Sequence, residues 1–142
     1  MSMHLTYDPH NIFAKIIAGE IPCVKVFEDD HVLSFMDIYP QSKGHTLVVP
    51  KAGAINMIEM EPEDLQNAII RAQHITRAVK AALEPEGIIF TQFNGEVAGQ
   101  TIFHVHFHII PRWADQPLGR HGGGQADLDD LKALAEQIKA KL

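Results

Sequence analysis

Phe103-His104-Val105-His106-Phe107-His108-Ile109-Ile110-Pro111-Arg112 alternates histidine with apolar residues over its first seven positions. Successive side chains of a β-strand point to opposite faces. The pattern therefore predicts a strand that carries His104, His106 and His108 on one face. Val105, Phe107 and Ile109 fall on the other, facing a core. A solvated strand face is ordinarily built from Thr, Lys, Glu and Ser. Three imidazoles in register argue for chemistry.

Upstream of this strand, residues 94–101 read as a loop containing Gly95 and Gly99, and residues 88–93 as a further strand. Pro62 suits the first position of a helix. Leu65, Ile69, Ala72, Ile75, Val79 and Leu83 follow helical spacing from there to about residue 83. Strands are predicted at residues 24–27, 32–36 and 46–49, and a short helix at 11–18 with Gly19 as its stop. Residues 119–124 are glycine-rich and predict a mobile segment. Asp127 is placed to cap a last helix striped by Leu128, Leu131, Leu134, Ile138 and Leu142. The order predicts an α+β fold with a five-stranded, largely antiparallel sheet, two main helices and a C-terminal helix. Residues 1–142 form one domain, with a core over about 11–113 and an extension over 114–142. Residues 1–10 read as a loose arm.

The chain is 46% apolar and 21% charged, as befits a globular protein with a core. Its net charge of −6 argues against a nucleic-acid polymer as partner, since that grip needs a basic surface. No apolar run approaches the roughly 20 residues of a membrane helix. No secretory signal is visible, and the single Cys23 cannot form an internal disulfide. Both fit a cytoplasmic location.

Three readings of the histidine face remain open on residue chemistry. It is a polar face that happens to hold histidines, a metal site, or a phosphate site with a histidine nucleophile. A metal site suits the ligand type. However, the outer histidines stand about 13 Å apart along a strand, against zinc–nitrogen bonds near ~2 Å. A phosphate site suits neutral imidazole, whose ring nitrogen attacks phosphorus without first losing a proton. Neighbouring imidazoles hydrogen-bond phosphoryl oxygens. Gly99 permits close backbone approach, and Gln100 and Thr101 supply neutral donors. Such donors let an acidic protein bind an anion.

The histidine run, preceded by Ala98-Gly99-Gln100-Thr101, resembles the histidine triad (HIT) superfamily of nucleotide hydrolases and transferases. Similar likeness lies in Lys15-Ile16-Ile17-Ala18-Gly19-Glu20-Ile21-Pro22, Phe35-Met36-Asp37-Ile38-Tyr39-Pro40-Gln41 and Gly44-His45-Thr46-Leu47-Val48-Val49-Pro50-Lys51. The resemblance implies a HIT-like fold, paired as a homodimer into one ten-stranded sheet. It implies a purine nucleotide substituted at the α-phosphate as substrate. By resemblance, His106 attacks the α-phosphorus and forms a nucleotidyl-imidazole, which water then hydrolyses. His108 contacts the phosphate, His104 supports the site, and His45 completes the network. Asp37 binds the ribose hydroxyls. Ile38, Phe13 and Phe35 line the base pocket. Asn94, Gly99, Gln100 and Thr101 hold the phosphate or the loop around it.

A phosphoramidase-like reaction is favoured. The alternatives are hydrolysis of a dinucleoside polyphosphate, or a nucleotide-binding partner protein with little turnover. Activity is expected to rise with pH, because a protonated His106 has no lone pair. Many bacterial relatives carry Cys-x-x-Cys near the first helix and a histidine after the Pro-Lys; with another histidine these can hold structural zinc. Asn11, Ala14 and Ala54 stand there instead, so no such metal site is expected, and no cofactor is required. Phe93 replaces a residue that is polar in many relatives. His31 and His74 read as surface residues. His4, His10 and His121 receive no role, and Cys23 reads as a small buried side chain.

Overall fold

The computed structural model describes residues 5–120 and 124–142. His4 and His121 lie outside them. The elements run α1 (Ile12–Ile17), β1 (Lys25–Glu28), β2 (Val32–Met36), β3 (Thr46–Pro50), α2 (Pro62–Leu83), β4 (Gly87–Thr91), β5 (Phe107–Arg112) and α3 (Leu128–Lys139), with short 3-10 turns at Met57–Glu59 and Glu96–Ala98. The strands form one sheet in the order β1-β2-β3-β5-β4, and every neighbouring pair is antiparallel. The α+β architecture read from the sequence is the one observed.

Each face of the sheet buries a different cluster. Val26, Val32, Met36, Val48, Phe107 and Ile109 pack with α2 and α3 in the main core. On α2 the contact is made by Ala68, Ala72, Ile75, Ala78 and Val79. Ile69, read as part of the buried stripe, is exposed; its neighbour Ala68 faces inward. From α3, Leu131, Leu134, Ala135 and Ile138 enter the same core, so the C-terminal helix is built into the domain. The opposite sheet face buries Leu33, Phe35, Leu47 and Val49 against Phe13 of α1. Among the described residues no helix is long and apolar enough to cross a membrane.

The histidine run corrects one expectation. β5 begins at Phe107, so His108 alone of the three histidines is a strand residue. Residues 103–106 lead into the sheet, with a bend at Phe103 and His104, without joining its ladder. They are held by Val105 N–H donating to the Ala54 carbonyl at 2.8 Å, and by side-chain bonds. The alternation still sorts the side chains as periodicity predicted: Val105, Phe107 and Ile109 enter the main core.

Of the glycine-rich stretch read as mobile, residues 121–123 lie outside the described residues, and Gly119 is bonded to the body of the domain. Gly119 N–H donates to the Gln41 carbonyl at 2.7 Å. A Cβ on Gly119 would lie 2.9 Å from that same oxygen, so the strap needs a residue without a side chain.

Candidate active site

The site is assembled on the sheet face opposite α2 and α3. His108 of β5 stands across from Leu47 of β3, which stands across from Phe35 of β2. Residues opposed in an antiparallel ladder share a face. Phe13 packs edge-on against Phe35, with ring centroids 5.6 Å apart. Between α1 and this row lies a cavity of about 390 Å³. Its wall is mostly apolar, and His106, His108, Asp37 and Thr101 line it as well.

Hydrogen-bond geometry sets the protonation of each imidazole. His106 Nδ1 lies 2.7 Å from the His104 carbonyl. A carbonyl only accepts, so Nδ1 carries the proton and Nε2 keeps its lone pair. Phe13 and His108 flank the His106 ring, each at a centroid distance of 4.9 Å.

His104 Nε2 donates to the Pro50 carbonyl at 2.8 Å, which leaves Nδ1 as an acceptor. Tyr7 Oη donates to that nitrogen at 2.9 Å, and Asn11 Nδ2 approaches it at 3.3 Å. Burial holds the His104 pKa below the ordinary imidazole value, against a smaller opposing effect of the Pro50 bond.

His45 is fully buried at the start of β3. Its Nδ1 accepts the Gln41 backbone N–H at 3.0 Å, so its proton sits on Nε2. That nitrogen is 2.9 Å from His108 Nδ1 and 3.5 Å from an Asp37 carboxylate oxygen. His108 Nδ1 thus accepts, and the His108 proton is on Nε2. One backbone N–H at Gln41 therefore fixes two imidazoles in sequence. Gly44 makes the turn into β3 in a left-handed conformation, with φ of +86°.

Asp37 follows β2, and its other carboxylate oxygen accepts the Tyr39 N–H at 2.8 Å. Ile38 and Tyr39 form an exposed rim, while Phe13 and Phe35 lie buried beneath. Asp37, His45 and His108 each present one metal-ligating atom within 4.8 Å of the others. This donor set is chemically suited to zinc, although His45 Nε2 and His108 Nδ1 are already hydrogen-bonded to each other. His104 and His106 are not in it. Of the positions discussed for structural zinc, Asn11 instead caps α1, its side-chain oxygen accepting Ala14 N–H at 2.9 Å. Ala54 is buried and holds Val105 through its carbonyl.

The loop before the histidines is knotted around Gln100. Its Oε1 accepts Gly95 N–H at 2.9 Å, and its Nε2 donates to the carbonyls of Ile55 at 2.6 Å and Ile102 at 3.1 Å. Gly99 has φ of +108°, which favours glycine. Thr101 is exposed at the cavity wall. Asn94 accepts a bond from Gln92 Nε2 at 3.1 Å and does not line the cavity. Phe93 lies against His108, with centroids 5.5 Å apart.

Tyr7 and Gln41 were not singled out as site residues from the sequence. Tyr7 meets a histidine 97 positions away, and no local pattern signals that. Gln41 acts through its backbone, which residue type does not reveal. Cys23 is half-buried in the cavity wall, beside Ile21 and Pro22.

Residues 18–115 match the HIT domain family. The chain is 49% identical over 102 residues to the protein named hit from Bacillus subtilis, covering 72% of this chain and 70% of that one. It is 38% identical over 141 residues to an adenosine 5'-monophosphoramidase of Schizosaccharomyces pombe, covering 92% of this chain and 97% of the relative. The crystal structure of a Hit-like protein involved in cell-cycle regulation from Bartonella henselae superposes with a TM-score of 0.92 at 45% identity, over 97% of this chain and 100% of that one. With His106 and His108 lining one apolar cavity, His104 and His45 bonded to them, and a matching segment that contains all four, the chain belongs to the HIT domain family.

Proposed function

We propose that the protein hydrolyses purine nucleotides substituted at the α-phosphate, through a nucleotide bound covalently to His106. The observation that carries this reading is the His106 tautomer. Its Nδ1–H is committed to the His104 carbonyl, so Nε2 is the unprotonated, nucleophilic nitrogen. Attack on the α-phosphorus forms the phosphorus–nitrogen bond to Nε2 and breaks the bond to the leaving group. That group departs with the bonding electron pair and takes up a proton from solvent, matched by the proton the later water gives up. The ring becomes cationic, and the carbonyl that holds Nδ1–H stabilises it. His108, with its proton on Nε2, donates to a phosphoryl oxygen, and His45 fixes that orientation from behind. Water then attacks phosphorus, releases the nucleoside monophosphate and restores His106.

Asp37 binds the ribose hydroxyls, because a carboxylate offers several acceptor positions to a diol. Phe13, Phe35 and Ile38 provide the apolar wall for the base. Thr101 meets the phosphate, while Asn94, Gly99 and Gln100 shape the loop around it. No step in this sequence calls for a cofactor. The S. pombe relative's name supports a phosphoramidate as the substrate class. We infer also that two copies pair across β4, the edge strand next to β5. Its Phe90 side chain is exposed and stacked on Phe107.

The test is a quenched reaction with labelled adenosine phosphoramidate, which should leave label on His106. Replacing His106 by Ala should lower turnover by a factor on the order of 10⁶. A variant that retained turnover within about tenfold of the native protein would overturn the reading. Much faster cleavage of a diadenosine polyphosphate would reassign the leaving group and keep the nucleophile.

A further inference from the structure

Tyr7 precedes the first helix, in a stretch whose sequence predicts only a loose arm. Its hydroxyl donates to His104 Nδ1 at 2.9 Å, and its ring lies tilted against the imidazole at a centroid distance of 5.6 Å. Gly53 makes the seat. A Cβ at Gly53 would fall 2.9, 3.0 and 3.2 Å from Cε2, Cζ and Oη of Tyr7. The Gly53 backbone is not left-handed, so what matters there is the missing side chain.

The contact reaches the reacting atom in two steps. Tyr7 and Asn11 leave the His104 proton on Nε2, where Pro50 accepts it, so both His104 ring nitrogens are held. The backbone carbonyl of His104 in turn holds His106 Nδ1–H at 2.7 Å. Residues 103–106 precede β5, so ring contacts do here what ladder bonds do further along the strand.

We propose that Tyr7 is a positioning residue for the His106 reaction. By clamping His104 from the N-terminal arm, it fixes the carbonyl that selects the nucleophilic tautomer of His106. The proposal rests on the reading of His106 as nucleophile.

Two variants test it: Tyr7→Phe, which removes the hydroxyl alone, and Gly53→Ala, which displaces the ring. Each is followed by kcat and KM on adenosine phosphoramidate, and by ¹⁵N NMR of the histidine rings in the resting protein at neutral pH. The expected result is a fall of about two- to tenfold in kcat with KM little changed, the scale of one lost hydrogen bond. The His104 Nδ1 resonance should move, and His106 should gain a detectable fraction with the proton on Nε2. A purely structural role would lower the unfolding temperature and leave the His106 tautomer alone. An unchanged His106 tautomer in both variants, whatever happens to kcat, overturns the proposal. Failure of the nucleophile reading shows separately, as native protein that forms no covalent adduct; the ring resonances still judge the clamp.

Discussion

Replacing Gly44 by Ala probes how the chain delivers His45 to the site. Gly44 has φ of +86°, and a Cβ there would overlap Leu83 Cδ1 and press on Pro111 Cγ at 3.3 Å. Two costs follow. Holding an L-residue in the left-handed region costs about 1–2 kcal/mol. Swinging the end of Leu83 aside costs about 0.5–1.5 kcal/mol, because a flexible side chain can leave its rotamer more cheaply than backbone can shift. Together they predict a destabilisation of about 1.5–3.5 kcal/mol. In a Leu83→Ala background the second cost disappears, and the same change should cost only about 1–2 kcal/mol. Urea denaturation of the native protein, both single variants and the double variant measures this coupling, provided the m-values agree. An equal cost in the two backgrounds refutes the close approach to Leu83. A cost below about 0.5 kcal/mol in both refutes the left-handed turn. Turnover adds an independent check. His45 follows Gly44 and orients His108, so Gly44→Ala should lower kcat under conditions where Leu83→Ala does not.

Three further outcomes are expected. Burial keeps His104 less basic than a free imidazole, so below about pH 6.5 the unfolded chain takes up a proton that the folded chain refuses. Stability should therefore be full above that pH and fall as pH drops toward the folded pKa, by at most about 1.4 kcal/mol per pH unit. Denaturation curves for His104→Gln should show a shallower acid slope than the native protein; an identical slope would contradict the assignment. Gln100→Ala strips partners from Gly95, Ile55 and Ile102 and should cost about 2–4 kcal/mol in thermal unfolding. Burial pushes the Cys23 thiol above its ordinary value, with Lys25 opposing. Iodoacetamide should therefore alkylate it slowly, and adenosine monophosphate should slow it further because Cys23 lines the cavity; labelling indifferent to nucleotide would place the base elsewhere.

Where the sequence was informative, a single physical rule governed the outcome. Pro62 and the apolar spacing beyond it place α2 at its observed bounds, since helix periodicity and N1 chemistry are local. The exposure of Ile69 beside buried Ala68 is not local. It depends on how closely the helix lies against the sheet, and small residues permit the closer approach. Alternation in the histidine run identifies the correct side-chain sets but not the start of β5. Periodicity reports where side chains point, whereas a strand is defined by what its backbone bonds to, and Val105 bonds to a loop carbonyl. The family resemblance directs attention to His45 and Asp37, and the structure brings both beside His108. The tautomer-setting contacts from Gln41 and Tyr7 come from a main-chain amide and a distant arm, neither of which carries a residue-type signature. Gly119 is a related case: glycine reads as flexibility, and at this position it also permits close contact with Gln41.

The two sheet faces have separate cores, and that division has a bearing on redesign. Ile12, Ile38 and Tyr39 sit on the cavity side with exposed side chains, and none belongs to the cluster built by α2 and α3. On the proposed reading of the cavity as a nucleotide site, substitutions at this rim would alter which nucleobase or leaving group is admitted while the helical half of the molecule keeps its packing. A library confined to those three positions should therefore yield mostly folded variants, and selection on it would act on recognition with little interference from stability.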